Sequence, residues 1–160
     1  MRAGIGWDSH RLEPGRRLVL GGVEIPGAET GLAGHSDADV LTHAVIDALL
    51  GAAGMGDIGQ HFPDTDERWR DADSIELLRA VRAVLDDAGL TPVNVDATVA
   101  CEAPRLAGFR DDMRERLADA IGIGPGAVNV KFTTGERMGF VGRGEGIAAL
   151  AIATLGSGQR

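Results

Sequence analysis

Three of the four histidines in this 160-residue chain fall in one stretch, His35 to Asp66, HSDADVLTHAVIDALLGAAGMGDIGQHFPDTD. The fourth, His10, stands two residues after Asp8 in GWDSH near the N-terminus. Asp8, His10 and His43 form a candidate zinc triad, since two imidazoles and one carboxylate leave the fourth tetrahedral position for a substrate oxygen. D-x-H is a short pattern that also arises by chance, and His43 fits equally as a satisfied core histidine. Asp39 and Asp47 lie four residues to either side of His43. On a helix, that spacing lets either accept the second ring N–H of His43 and set its tautomer.

A second group of polar residues points to phosphate chemistry. His35 and Ser36 precede a helix, where free backbone N–H groups favour an anion; an ordinary cap with an exposed His35 is the alternative. The Gly56-Asp57-Ile58-Gly59 turn and Phe62-Pro63-Asp64-Thr65-Asp66 offer oxygen ligands and hydroxyl-pairing groups, or simply a polar surface loop. In KFTTGERMGFVGRGEG, residues 131–146, Lys131, Thr133, Thr134, Glu136, Arg137 and Arg143 gather phosphate-binding groups and one Mg²⁺ ligand. The G-x-x-x-x-G-K-[ST] order is absent, so this is no Walker A loop, and a charged hairpin is the alternative. Lys131 is the single lysine among fifteen arginines. A compact ammonium kept against such a bias marks a site too tight for a guanidinium.

Elements that position these groups are legible from periodicity. Residues 2–10 read as a strand with Gly4, Gly6, Asp8 and His10 on one face and Ile5 and Trp7 on the other. Residues 18–26 read as a hairpin turning at Gly21-Gly22. Ser36 is the expected N-cap of the His43 helix, with Asp39 completing a capping box. From Val40 to Met55 only Asp47 carries a formal charge. A surface helix would carry a charged face, so the polar stripe Ser36, Asp39, His43 and Asp47 needs partners within the protein. A second helix runs from near Asp73 to a Gly89 stop, and a third carries Leu106, Phe109, Met113, Leu117 and Ile121 to Gly122. Residues 93–101 and 127–134 alternate as strands. Residues 144–155 fit a last strand or a short helix, which periodicity alone does not separate. The pattern predicts one α/β (α+β) domain, residues 1–160, with a mixed β-sheet and helices packed on one face.

Composition narrows the function classes. Net charge is −8, which makes a nucleic-acid backbone a poor partner. One cysteine, Cys101, excludes an internal disulfide and fits a reducing compartment. Neither a signal peptide nor a spanning apolar run is visible, so a soluble cytoplasmic protein with no membrane partner is expected.

GWDSH, HSDADVLTHAVIDALLGAAGMGDIG, FPDTD, NVDATVACEAPRL and KFTTGERMGFVGRGEGIA resemble, in order and over nearly the whole chain, the 2-C-methyl-D-erythritol 2,4-cyclodiphosphate synthases of the non-mevalonate isoprenoid route. The resemblance implies Zn²⁺ on Asp8, His10 and His43, and Mg²⁺ or Mn²⁺ on Glu136 between two phosphates of the substrate. It implies that His35 and Thr134 position the reacting phosphate. Asp8, Ser9, His10, Ser36, Asp57, Ile58, Gly59 and Phe62, Pro63, Asp64, Thr65 and Asp66 would line the methylerythritol and phosphate end. Ala103, Pro104, Arg105 and Leu106, with Lys131, Thr133 and Gly135, would hold the cytidine nucleotide. It implies a homotrimer whose sheet faces meet, with sites between subunits and Trp7, Phe140, Arg143 and Glu145 around a central cavity. An apolar tunnel ending in arginines would suit a prenyl diphosphate, whereas Arg143 and Glu145 pairing across subunits would only hold the trimer together. Gly135 replaces a usual third Thr, predicting looser phosphate contacts; Trp7 replaces a commoner Phe, and Ala38 a frequent Gly.

The reaction so implied is attack of the substrate's own 2-phosphate on the β-phosphorus of its CDP group, a phosphorus–oxygen lyase reaction expelling CMP. A metal-dependent phosphodiesterase built on the same triad is the alternative enzyme. A non-catalytic binder of phosphorylated isoprenoids or nucleotides is the alternative outside catalysis.

Overall fold

The computed structural model describes residues 1–157. In chain order the strands are β1 (Arg2–Pro14), β2 (Val19–Leu20), β3 (Val23–Glu24), β4 (Thr30–Leu32), β5 (Leu90–Ala100), β6 (Val128–Thr133) and β7 (Gly146–Ser157). The helices are α1 (Val40–Ala53), α2 (Ile58–His61), α3 (Ser74–Asp87), α4 (Arg110–Ile121) and α5 (Gly139–Gly142). Five strands make one mixed sheet in the order β4-β1-β7-β5-β6, antiparallel throughout except for the parallel pair β5–β6. The stretch that periodicity left open is β7, which runs up the centre of the sheet between β1 and β5. Its alanines explain the ambiguity: Ala149, Ala151 and Ala153 are buried under a helix, and small side chains carry little period-2 contrast.

Helix α1 lies across β1 and β7, and α3 packs on α1 in turn. Twelve of the fourteen α1 residues are buried, which accounts for its missing charged face. The crossing with β1 is so close that side chains are excluded from it. A Cβ on Gly4 would lie 2.2 Å from the Ala48 carbonyl oxygen, and one on Gly6 1.9 Å from that of Ala44. Glycine on the strand and alanine on the helix are what allow this contact. All the long helices cover one sheet face. On the other face the register pairs Ile5↔Ile152 and Trp7↔Leu150 stand exposed, at 65, 46, 57 and 38 % of full accessibility respectively.

The predicted hairpin forms, with β2 and β3 joined through Gly21 and Gly22 at φ +58° and +71°, the left-handed pair a two-residue turn requires. The predicted second helix forms as α3, capped by Asp73, and the third as α4, closed by left-handed Gly122; α4 begins only at Arg110, so Leu106 and Phe109, expected inside it, precede it around a separate 3₁₀ turn, Ala107–Phe109. The cap of α1 differs from expectation. The helix begins at Val40 and its N-cap is Asp39, not Ser36. Asp39 is fully buried and accepts from Thr42 N (3.0 Å) and Thr42 Oγ1 (2.7 Å), and also from Gly21 N (2.9 Å) and Gly22 N (2.7 Å). The hairpin turn delivers two backbone donors to that carboxylate, and local sequence pattern gives no sign of donors arriving from eighteen residues away. No helix among the described residues is long and apolar enough to cross a membrane.

Candidate metal centre and substrate cavity

Two residues beyond Gly6 the helix-facing side of β1 presents Asp8, and two further on His10, while α1 presents His43 just before Ala44. The three meet. Asp8 Oδ2 lies 2.9 Å from His10 Nε2 and 3.0 Å from His43 Nδ1, and the two ring nitrogens are 3.3 Å apart. One ligand atom from each residue falls within 4.8 Å of the others. His10 Nδ1 lies 2.7 Å from the Ala33 carbonyl oxygen, which only accepts, so the proton of the neutral ring sits on Nδ1. Bare Nε2 then faces a carboxylate oxygen and a second imidazole nitrogen. Such a set of lone pairs repels itself unless a cation lies among them, and the donor types fit Zn²⁺.

In the metal-free protein a proton fills that role. Burial works to raise the Asp8 carboxyl, but the hydrogen bond from protonated His10 and its positive charge outweigh it and hold Asp8 well below the usual carboxylate range. Burial likewise works to lower His10, and the bond to Asp8 outweighs it, so His10 titrates above its ordinary value of 6.5. Protonated His10 therefore stabilises the metal-free fold fully below that ordinary value, and the contribution is lost as pH rises through the raised folded value. Metal binding needs the same nitrogen bare and strengthens over the same window. Between about pH 6 and about pH 8 the melting temperature of the metal-free protein is expected to fall while the increment produced by Zn²⁺ grows. Scanning fluorimetry at both ends, with and without metal, checks this; parallel pH profiles for the two forms would contradict it.

The partners expected for His43 are corrected. Asp39 is engaged with the hairpin and Thr42, and Asp47 Oδ1 accepts from Ile58 N at 2.7 Å. The second nitrogen of His43, Nε2, instead meets Ser74 Oγ at 2.8 Å and Ser36 Oγ at 3.2 Å. Ser74 opens α3, a helix distant in sequence, so no spacing around His43 signals it.

A cavity of about 470 Å³ opens beside the triad. Its walls include Asp8, His10, His35, Ser36, His43, Ile58, Gly59, Phe62, Pro63 and Asp64, all singled out from sequence, together with Gly34, Trp69 and Leu77, which were not. Trp69 stands edge-on to Phe62, with ring centroids 5.0 Å apart, and an aromatic shortly after the FPDTD loop was the available signal. His35 Nε2 and Trp69 Nε1 are buried with no hydrogen-bond partner. Asp57 is not in the wall; it caps α2, accepting from Gln60 N at 3.0 Å. Thr65 and Asp66 also lie outside it, and Asp66 pairs with Arg68.

The remaining candidates gather elsewhere on the chain. Cys101 N donates to Thr133 O at 2.9 Å, and Gly135 N to Glu102 Oε2 at 2.9 Å, which lays the segment that includes Ala103, Pro104, Arg105 and Leu106 beside Thr133–Glu136. Thr134 Oγ1 donates to Glu136 Oε1 at 2.9 Å, and Lys131 Nζ reaches Asp96 Oδ2 at 2.6 Å. None of these residues lines the triad cavity. A Cβ on Gly135 would lie 2.4 Å from Gly142 N, so in this chain the position is filled by the loop's own backbone. Ser9 and Phe140 line a smaller hollow of about 180 Å³ with His10, Arg11 and Glu145. Arg143 is held by Glu145 of the same chain through two bonds, at 2.8 and 3.2 Å.

The model of the YgbB family matches residues 1–156. The chain is 59% identical over 152 residues to the bifunctional enzyme IspD/IspF of Anaeromyxobacter sp. (strain Fw109-5), covering 95% of this chain and 39% of that protein. It therefore spans about two fifths of that relative's length. It is 57% identical over 155 residues to 2-C-methyl-D-erythritol 2,4-cyclodiphosphate synthase of Symbiobacterium thermophilum, covering 97% of this chain and 98% of that one. A solved structure of 2C-methyl-D-erythritol-2,4-cyclodiphosphate synthase in a CDP-bound form superposes with a TM-score of 0.88 at 35% identity, covering 97% of this chain and 100% of the other.

Proposed function

Because this chain belongs to the YgbB family, we propose that it converts 4-diphosphocytidyl-2-C-methyl-D-erythritol 2-phosphate to 2-C-methyl-D-erythritol 2,4-cyclodiphosphate and CMP, acting over its length as one cyclodiphosphate synthase domain. The observation that carries the reading is the convergence of Asp8, His10 and His43 in the wall of a cavity of about 470 Å³, in a chain similar over nearly its whole length to relatives that bear that enzyme's name. The nucleophile is the substrate's own 2-phosphate, already an anion, so no residue has to serve as general base. The chain's task is to fold one flexible molecule until its two ends meet. Orienting an intramolecular attack in this way is worth up to about 7–11 kcal/mol. His35 and Thr134 would position the phosphate being attacked, and the Ile58–Gly59 and Phe62–Asp64 walls would hold the methylerythritol end. Ala103–Leu106, Lys131 and Thr133 would hold the cytidine. When bound, Zn²⁺ on the triad and Mg²⁺ or Mn²⁺ on Glu136 would offset the repulsion between the phosphates and polarise phosphorus.

Incubation with that substrate and Mg²⁺, followed by phosphorus NMR, tests the assignment. Cyclic diphosphate with CMP supports it. CMP with a linear bisphosphate would make the protein a phosphodiesterase, and binding without turnover would make it a non-catalytic binder. Glu136→Gln is expected to keep its zinc but to need far more Mg²⁺ for activity, because an oxygen-rich magnesium site loses its charged ligand. A Mg²⁺ titration of initial rate that overlays wild type would remove Glu136 from the site.

The same reading includes a homotrimer. Ile5, Trp7, Leu150 and Ile152 form an exposed apolar patch on the helix-free sheet face, which self-association would cover. The nucleotide group lies outside the triad cavity of its own chain, and a site assembled from two subunits would bring the halves together. A monomer by light scattering at micromolar concentration with full activity would defeat the trimer. Arg143 is paired with Glu145 within the chain, so a prenyl diphosphate reaching Arg143 in the central cavity would have to displace Glu145.

A further inference from the structure

The second nitrogen of His43 faces two hydroxyls, and one of them is not free to choose its role. The Ser74 hydroxyl donates to Asp37 Oδ1, and the Ser74 backbone N–H donates to Asp37 Oδ2 at 3.0 Å. A carboxylate only accepts, so the single Ser74 proton points to Asp37 and its lone pairs face His43 Nε2, 2.8 Å away. Ser74 is fully buried, with no solvent to supply another arrangement. The ring must therefore donate from Nε2, which leaves Nδ1 bare and aimed at Asp8 Oδ2, 3.0 Å away. We propose that Asp37 and Ser74 are positioning residues that fix the proton of His43 on Nε2 and turn its bare Nδ1 into the Asp8–His10 cluster. The relay is set from outside α1: Asp37 lies in the loop before the helix, and Ser74 is the first residue of α3. It explains why a half-buried aspartate and a fully buried serine stand paired behind the triad although neither side chain lines its cavity.

The inference rests on the proposal that the triad takes a divalent metal, and the test separates the two. Zn²⁺ alone is the probe, with affinity measured by competition against a chelator for the wild type, Ser74→Ala and Asp37→Asn. Loss of an outer partner to a ligating histidine is expected to weaken zinc binding about 10–100-fold in Ser74→Ala, with a smaller loss in Asp37→Asn, which keeps one acceptor. In the zinc-loaded wild type the His43 Nε2–H proton is expected as a protected, downfield NMR resonance. In zinc-loaded Ser74→Ala it should move upfield or vanish into solvent exchange, a change that a merely structural role would not produce. Zinc affinities within twofold of wild type in both variants, or an unchanged His43 resonance in Ser74→Ala, would overturn the relay. A wild type that takes up no zinc would overturn the metal reading of the triad instead. Should Ser74→Ala fail to fold, the affinity and resonance of Asp37→Asn decide the question.

Discussion

His43→Ala is expected to empty the metal centre and abolish turnover while leaving the fold in place. The lost ring supplies Nδ1 to the triad, and two ligands that remain on one strand cannot enclose an ion. Electrophilic stabilisation of phosphoryl chemistry by a metal is worth several kcal/mol, so the rate should fall by about three orders of magnitude or more. The helix itself does not depend on the ring. Leu41, Val45, Leu49 and Leu50 remain buried, and Asp39 still caps the first turn. What the fold loses is one acceptor and donor set: the Ser36 and Ser74 hydroxyls stay buried without their imidazole partner, at a cost of about 1–3 kcal/mol. Elemental analysis, a circular dichroism melt and the phosphorus NMR assay read the three effects separately. One zinc per chain retained in the variant would sink the triad.

The largest effect on stability is expected from Gly6→Val. Its Cβ would fall 1.9 Å from Ala44 O and 2.7 Å from Ala48 N, both backbone atoms of α1 with nowhere to go. Strand and helix must move apart, and the overpacking should cost about 3 kcal/mol or more, enough to unfold a marginal domain. Any folded remainder should also bind zinc poorly, because the same crossing sets the distance from Asp8 to His43. Gly51→Ala provides the contrast. A Cβ there meets nothing nearer than Ile5 O at 3.7 Å, so the helix should gain about 0.5–1 kcal/mol from losing a glycine. Urea denaturation midpoints rank the two, and a Gly6→Val midpoint equal to wild type would show that the close crossing does not exist in solution.

What the sequence determined by itself was what is local or repetitive. Period 2 in residues 2–10 placed Asp8 and His10 on one strand face and Ile5 and Trp7 on the other, and the structure has them so. The missing charges of Val40–Met55 announced a buried helix, and the glycine pair at 21–22 a tight turn. Spacing also raised Asp8, His10 and His43 as a candidate triad, because they are rare residue types on elements whose faces can be read. Composition left the loop holding Phe62 and Asp64 as a polar surface loop or a ligand site, and it was the resemblance to known cyclodiphosphate synthases that named Ile58, Gly59, Phe62, Pro63 and Asp64 as cavity wall.

What only the tertiary structure decided was which groups from distant segments meet. Whether Asp39 caps α1 or supports His43 depends on where the Gly21–Gly22 turn lands, and its two backbone donors claimed the carboxylate. Ser74 and Asp37 stand behind His43 because α3 begins beside the loop before α1, thirty-seven residues away along the chain. Trp69 joined the wall because its ring packs on Phe62. The physical reason is the same in each case. A strand or helix face follows from backbone geometry that every residue shares, whereas a buried hydrogen bond goes to whichever donor the packed chain brings within about 3 Å.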